Sequence, residues 1–171
     1  MKRIVLVMFL PLLAGCGLPT PDDTKCLRGT LEDDLDLRAP FTGPGVVDGG
    51  IPAGKYVIAA TYLQGKPTQQ AMSLFQSLVD PITRELPTTD GLIGARFGNS
   101  STCLTARTLT VWRDEASMYR FVTSASHAAA MGKTSELSRG GSVTTHWVDT
   151  EAGATFEKAA QMLADDQGPL H

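Results

Sequence analysis

Leu92-Ile93-Gly94-Ala95-Arg96-Phe97, then Gly98-Asn99-Ser100-Ser101-Thr102, then Cys103-Leu104-Thr105-Ala106-Arg107-Thr108-Leu109-Thr110-Val111-Trp112 is the stretch on which the fold turns. The first and last segments are apolar and β-branched enough to read as strands, and the five residues between them are turn formers. Two strands joined so closely predict an antiparallel hairpin. If Phe97 pairs with Leu104, then Arg96 faces Thr105 and Gly94 faces Arg107. Arg96 and Arg107 then share one face and suit a carboxylate or another anion. A one-residue slip would separate them.

Before the hairpin, Pro67-Thr68 opens a helix in which Met72, Phe75, Val79, Ile82 and Leu86 recur at spacings of three and four. Pro81 lies inside it and predicts a kink or break, with Asp80 capping a second piece. Upstream, Tyr56 to Leu63 reads as a buried strand. After the hairpin, Asp114 is a good N-cap, and Met118, Phe121, Val122, Ala125 and Ala129 form an apolar helix face. Gly140-Gly141 predicts a turn, Ser142 to Asp149 a fourth strand, and Phe156, Ala159, Ala160 and Leu163 one side of a last helix. The order β-α-β-β-α-β plus a C-terminal helix is the ferredoxin-like α+β arrangement. Its helices cover one sheet face. No second layer for the other face is visible in the sequence, so dimerisation through that face is expected, enclosing a space between two sheets.

This domain takes residues 55–165, followed by a tail at 166–171. Residues 16–54 are rich in Pro, Gly and Asp and predict irregular structure with at most one short strand. Within them, Leu18-Pro19-Thr20-Pro21 reads as an extended spacer. Residues 1–15 begin with Lys2 and Arg3 and continue as an apolar run from Ile4 to Leu13, broken by Pro11. The run is short of the roughly 20 residues a bilayer-spanning helix needs, and it has the layout of a secretory signal. Leu13-Ala14-Gly15-Cys16 resembles the lipobox of bacterial lipoproteins, in which the cysteine is acylated and becomes the new first residue. The resemblance implies a lipid on Cys16 and a membrane-anchored place in the cell envelope. Gly17, where an Asp would favour inner-membrane retention, points to the periplasmic face of the outer membrane in a Gram-negative cell.

Loss of residues 1–15 would remove two positive charges and move the formal charge from −3 to −5. Nothing in that balance suits nucleic acid. Cys26 and Cys103 are then an even pair in an oxidising compartment, either bridged or left as two thiols. A bridge would tie the lead to the domain and add roughly 4 kcal/mol on a loop-entropy account.

Thr108-Leu109-Thr110-Val111-Trp112, followed by Asp114-Glu115 and a helix carrying Phe121, Ser124, Ser126 and His127, resembles the dimeric α+β barrel superfamily. Its best-known members are antibiotic-biosynthesis-monooxygenase-like proteins. The likeness spans about residues 55–150. It implies a fold and a homodimer more than an activity, because the superfamily also holds haem-degrading, haem-binding and other proteins. Haem-degrading members carry an Asn in the first strand, a Trp in the second helix and a His about ten residues later. The matching positions here are Ala59 or Ala60, Phe121 and Met131, so that activity is not expected and no cofactor is assigned. Met131 and His127 are the side chains that could ligate an iron.

Among candidate site residues, His127 can serve as base, donor or ligand. On an unbroken helix it lies about 180° from the Met118, Val122 and Ala129 stripe. Only a break near Thr123-Ser124 would turn it inward. His127 and Met131 share a helix face, but two ligands without a further cysteine or histidine do not define a metal site. His146 and Trp147 point to opposite sheet faces, Trp147 into the core and His146 with Thr144 and Val148 towards the proposed cavity. Tyr56, Tyr62, Phe97 and Trp112 are aromatic wall candidates. The chain has no phosphate loop, zinc spacing or nucleophile elbow. The expected function is binding of a small, partly aromatic ligand by Arg96, Arg107, Trp112, His127 and His146. One alternative is a cofactor-free monooxygenase using His127, His146 and Arg107. The other is an envelope interaction module without a ligand.

Overall fold

Apolar and β-branched runs alternate with amphipathic segments along the chain, and they fold as that order dictates. In a computed structural model that describes residues 21–22 and 24–166, β1 (Lys55–Gly65), β2 (Leu92–Ser100), β3 (Thr105–Trp112) and β4 (Ser138–Thr150) form one antiparallel sheet. Its order is β2-β3-β1-β4. Helix α1 (Gln69–Glu85) joins β1 to β2, and α2 (Glu115–Val122), α3 (Ala125–Met131) and the single turn α4 (Thr134–Leu137) join β3 to β4. Helix α5 (Phe156–Asp165) follows β4. This is the ferredoxin-like α+β fold. The signal-like segment, Cys16 and residues 167–171 lie outside the described residues.

Three local readings change. The hairpin pairs Phe97 with Thr108 and Gly98 with Arg107, because Gly98, Asn99 and Ser100 continue β2 instead of turning. Gly98 is there for packing: a Cβ would stand 2.6 Å from Leu35 and 3.2 Å from Phe156. The offset from the expected register is even, so Arg96 and Arg107 still share a face. Helix α1 runs through Pro81 without a break. The carbonyl that Pro81 cannot satisfy belongs to Ser77, an exposed residue on the solvent side of the helix, where losing one bond costs little. Finally, β4 begins at Ser138 and passes through Gly140-Gly141, where Gly141 takes a positive φ beside a register shift opposite Leu63 and Gly65.

Strand alternation divides β1 between two faces. Ile58, Ala60 and Tyr62 join Leu109, Val111, Val143 and Trp147 on one of them. That face is not open. Leu35 and Phe41 of the lead and Phe156, Ala159 and Leu163 of α5 cover it, and Ile58, Leu109 and Val111 are fully buried. The expectation that the chain supplies no second layer is therefore corrected. Its own lead and α5 occupy the face through which a sheet-to-sheet dimer was expected.

The lead is fixed by bonds rather than by regular structure. Cys26 is joined to Cys103 by a disulfide spanning 77 residues. The Asp34 carboxylate accepts from the backbone N–H groups and hydroxyls of Ser101 and Thr102. Thr42 and Gly45 bond the outer edge of β2 at Ala95 and Ile93. On the opposite face, Val57, Ala59, Leu92, Ala95 and Trp112 pack with Met118, Phe121 and Leu86. This second core fills only part of its face.

Candidate functional site

The remainder of that face is hydroxyl-rich. Thr108 and Thr110 alternate with Arg107, Leu109 and Val111 along β3, so the threonines point away from the dry core. Thr61 and Thr144 sit directly opposite each other on β1 and β4, and their hydroxyls are 3.0 Å apart. Above this floor runs α1. Thr68 caps it, accepting from the Ala71 N–H at 3.2 Å. The helix packs mainly on α3, α4 and the following 3-10 turn, with no comparable contact to a strand. Its Phe75 and Val79 face a gap above the floor, while Ile82 lines the same gap and also packs against the second core. Floor and helix bound a partly open cavity of about 430 Å³, with Phe97, Met131 and Leu137 also on its walls.

His127 enters this cavity because the helix breaks where inward placement requires it to. α2 ends at Val122, and Ser124 starts α3 as an N-cap whose Oγ accepts from the His127 N–H at 3.4 Å. Ala125 and Ala129, expected on the apolar face, are exposed instead. The imidazole is half-buried, lines the cavity, and meets the Phe121 ring edge-on at 5.1 Å. Its Nδ1 is shut off from water without a formed hydrogen bond. Burial pushes its pKa below the ordinary 6.5, against smaller upward pulls from the Val122 carbonyl and Glu85. The ring is thus neutral at pH 7, with one nitrogen a donor and the other an acceptor. Glu85, at the end of α1, accepts from Ser126 Oγ, which lies 3.2 Å from Ser124 Oγ.

The other expected site residues do not meet His127. The Arg107 guanidinium turns to the opposite face, donates from Nε to Glu32 at 2.8 Å, bonds the carbonyls of Leu27, Arg28 and Thr30, and stacks on Tyr62. The carboxylate expected from a ligand is supplied by the chain's own lead. Arg96 shares that face and lies 4.3 Å over the Phe41 ring. Trp112 is core: it is 1% exposed, stacks on Phe121 at 5.4 Å and donates from Nε1 to Thr110 Oγ1 at 2.8 Å. It supports two wall residues without being one. His146 lies on the cavity's side of the sheet, but beyond the cavity, against Tyr119 and 3.9 Å from Glu115. Of the aromatic wall candidates only Phe97 lines the cavity, since the hydroxyls of Tyr56 and Tyr62 bond Pro52 and Cys26 carbonyls on the other face. Met131 and His127 both reach the cavity, and among the described residues no group of three His, Cys, Asp or Glu could hold a metal ion.

Sequence reasoning missed the threonine floor, the Glu85–Ser126 pair and Glu32. The floor had a signal, the strict alternation of Thr with apolar residues in β3. The two glutamates had none, because each meets its partner across 41 residues or more.

No protein-family model matches the chain, and no curated protein matches it. Solved structures of similar fold include Rv0793 from Mycobacterium tuberculosis, at 15% identity and a TM-score of 0.48, covering 54% of this chain and 92% of that one. A dimeric ferredoxin-like protein of unknown function from Jannaschia sp. CCS1 is 17% identical, with a TM-score of 0.46 and coverage of 55% and 98%. An antibiotic biosynthesis monooxygenase is 8% identical, with a TM-score of 0.47 and coverage of 53% and 95%. The likeness concerns general fold alone.

Proposed function

We propose that this chain is a lipid-anchored envelope protein whose domain binds a small, mainly apolar and partly aromatic molecule beneath α1. One observation carries the reading: α1 presents Phe75, Leu78 and Val79 to a mainly apolar cavity between itself and the sheet. Apolar groups facing a gap forgo dispersion contacts and water release that an occupant of the right size would restore. The volume falls within the roughly 300–1,000 Å³ of small-molecule sites. Native mass spectrometry of the full protein from its own membranes is expected to show a small-molecule adduct that Thr108→Trp abolishes by filling the floor. Equal adducts in both proteins would place the molecule elsewhere and refute the reading.

The anchor rests on Lys2-Arg3, the apolar run and Leu13-Ala14-Gly15-Cys16. Labelling with an alkyne-tagged fatty acid is expected to mark the wild type and to fail in Cys16→Ser. A neutral imidazole on the cavity lining favours a second reading, the cofactor-free monooxygenase, with His127 as base. Oxygen uptake with a quinol should then drop in His127→Ala; equal rates, or none, would remove that reading.

A further inference from the structure

We propose that the cavity selects uncharged ligands: an apolar body with a single hydroxyl or N–H that hydrogen-bonds His127 or the threonine floor. This rests on the ligand-binding reading above and narrows the class of ligand.

The sheet carries three arginines that could have greeted an anion; Arg139 is off the cavity lining and donates to the Cys103 carbonyl, and the side chains of the other two point to the other face. Arg107 is spent on Glu32 and three carbonyls, and Arg96 lies over Phe41. A ligand carboxylate or sulfonate beneath α1 would therefore lose its water and find no cation. Among the described residues, the titratable ones on the cavity lining are Arg107 and His127, and the Arg107 guanidinium is buried against Glu32. The acidic group nearest that ring in effect is Glu85, whose charge would repel an anion. A cation is served no better, because Glu85 is not on the wall and already accepts from Ser126. Burying a charge without a partner is strongly unfavourable, whereas a neutral donor needs one acceptor. The cavity supplies such acceptors in the neutral imidazole and the Thr108 hydroxyl.

Two fluorescent probes with a shared aromatic body test this on the full chain. N-phenyl-1-naphthylamine is neutral and carries one N–H; 8-anilino-1-naphthalenesulfonate adds a sulfonate to the same frame. The neutral probe is expected to bind with a fluorescence rise and to bind at least tenfold more tightly than the sulfonate. His127→Phe should weaken it several-fold, the loss of about one hydrogen bond. Thr108→Trp should abolish binding, and competition between the probes on the wild type serves if that variant does not fold. Displacement of the neutral probe by equal or lower concentrations of the sulfonate would overturn selection for neutral ligands while leaving the pocket in place. Binding by neither probe to folded protein would overturn the pocket reading itself.

Discussion

A half-buried imidazole set edge-on to Phe121 loses hydration that its cation needs, which is why burial outweighs the pull of Glu85 and the Val122 carbonyl. The folded-state pKa is therefore below the unfolded value. The neutral ring's contribution to stability is complete above pH 6.5 and is lost as pH falls from there through the folded value. Glu85 from α1 is the charged group that bears on this titration, and it favours the proton. An NMR titration of His127 should give a midpoint below 6.5, and affinity for N-phenyl-1-naphthylamine should decline over the same window. A midpoint at or above 6.5 would contradict the burial argument. Glu32 is the second residue whose environment makes a firm claim. Its side chain and that of Arg107 are each 2% exposed, and Glu32 also accepts from Thr105 Oγ1 at 2.6 Å. Glu32→Ala leaves a buried guanidinium without its anion and should cost about 3–5 kcal/mol in urea unfolding. Replacing both partners with leucine should recover much of that loss, because the desolvated charge goes with them.

At the scale of elements, the site depends on the Thr123-Ser124 break. Ser124→Ala removes the cap of α3 and should cost about 1 kcal/mol. It should also weaken the neutral probe, because an α2 continuous with α3 carries His127 to the polar side. Unchanged affinity alongside lost stability would show that packing on Phe121, not the cap, orients the ring. The break was legible only as a condition, since Thr and Ser are tolerated inside helices as well as at caps. Element order, the Asp114 cap and the buried face of α5 could be read directly, because each rests on spacing within one segment. Hairpin length could not: Gly98 reads as a turn former, but its job is to admit Leu35 and Phe156, which are distant in sequence. The same limit hid the roles of the arginines. Their shared face followed from strand alternation, but Glu32 reaches that face from an aperiodic lead 75 residues away.

For the whole molecule, the decisive feature is that residues with no secondary structure complete the fold. Ile58, Leu109 and Val111 are covered on one side by α5 and by Leu35 and Phe41 of the lead. The lead also closes the β2 edge through Thr42 and Gly45, leaving β4 as the edge without a strand partner. Exposing that much apolar sheet invites association with another copy or aggregation. A chain beginning at Lys55 is therefore expected to self-associate or precipitate under light scattering at concentrations where the full chain does not. The double variant Cys26→Ala, Cys103→Ala keeps the cover but frees one attachment. It should stay folded while losing about 2–5 kcal/mol, as for native disulfides in small domains. The two variants separate covering from cross-linking. If the truncated chain were soluble, unassociated and as stable as the full one, the lead would be a passenger. The sheet face would then be free for the dimer that the bare element order suggests, and the cover assigned to Leu35 and Phe41 would have to be abandoned.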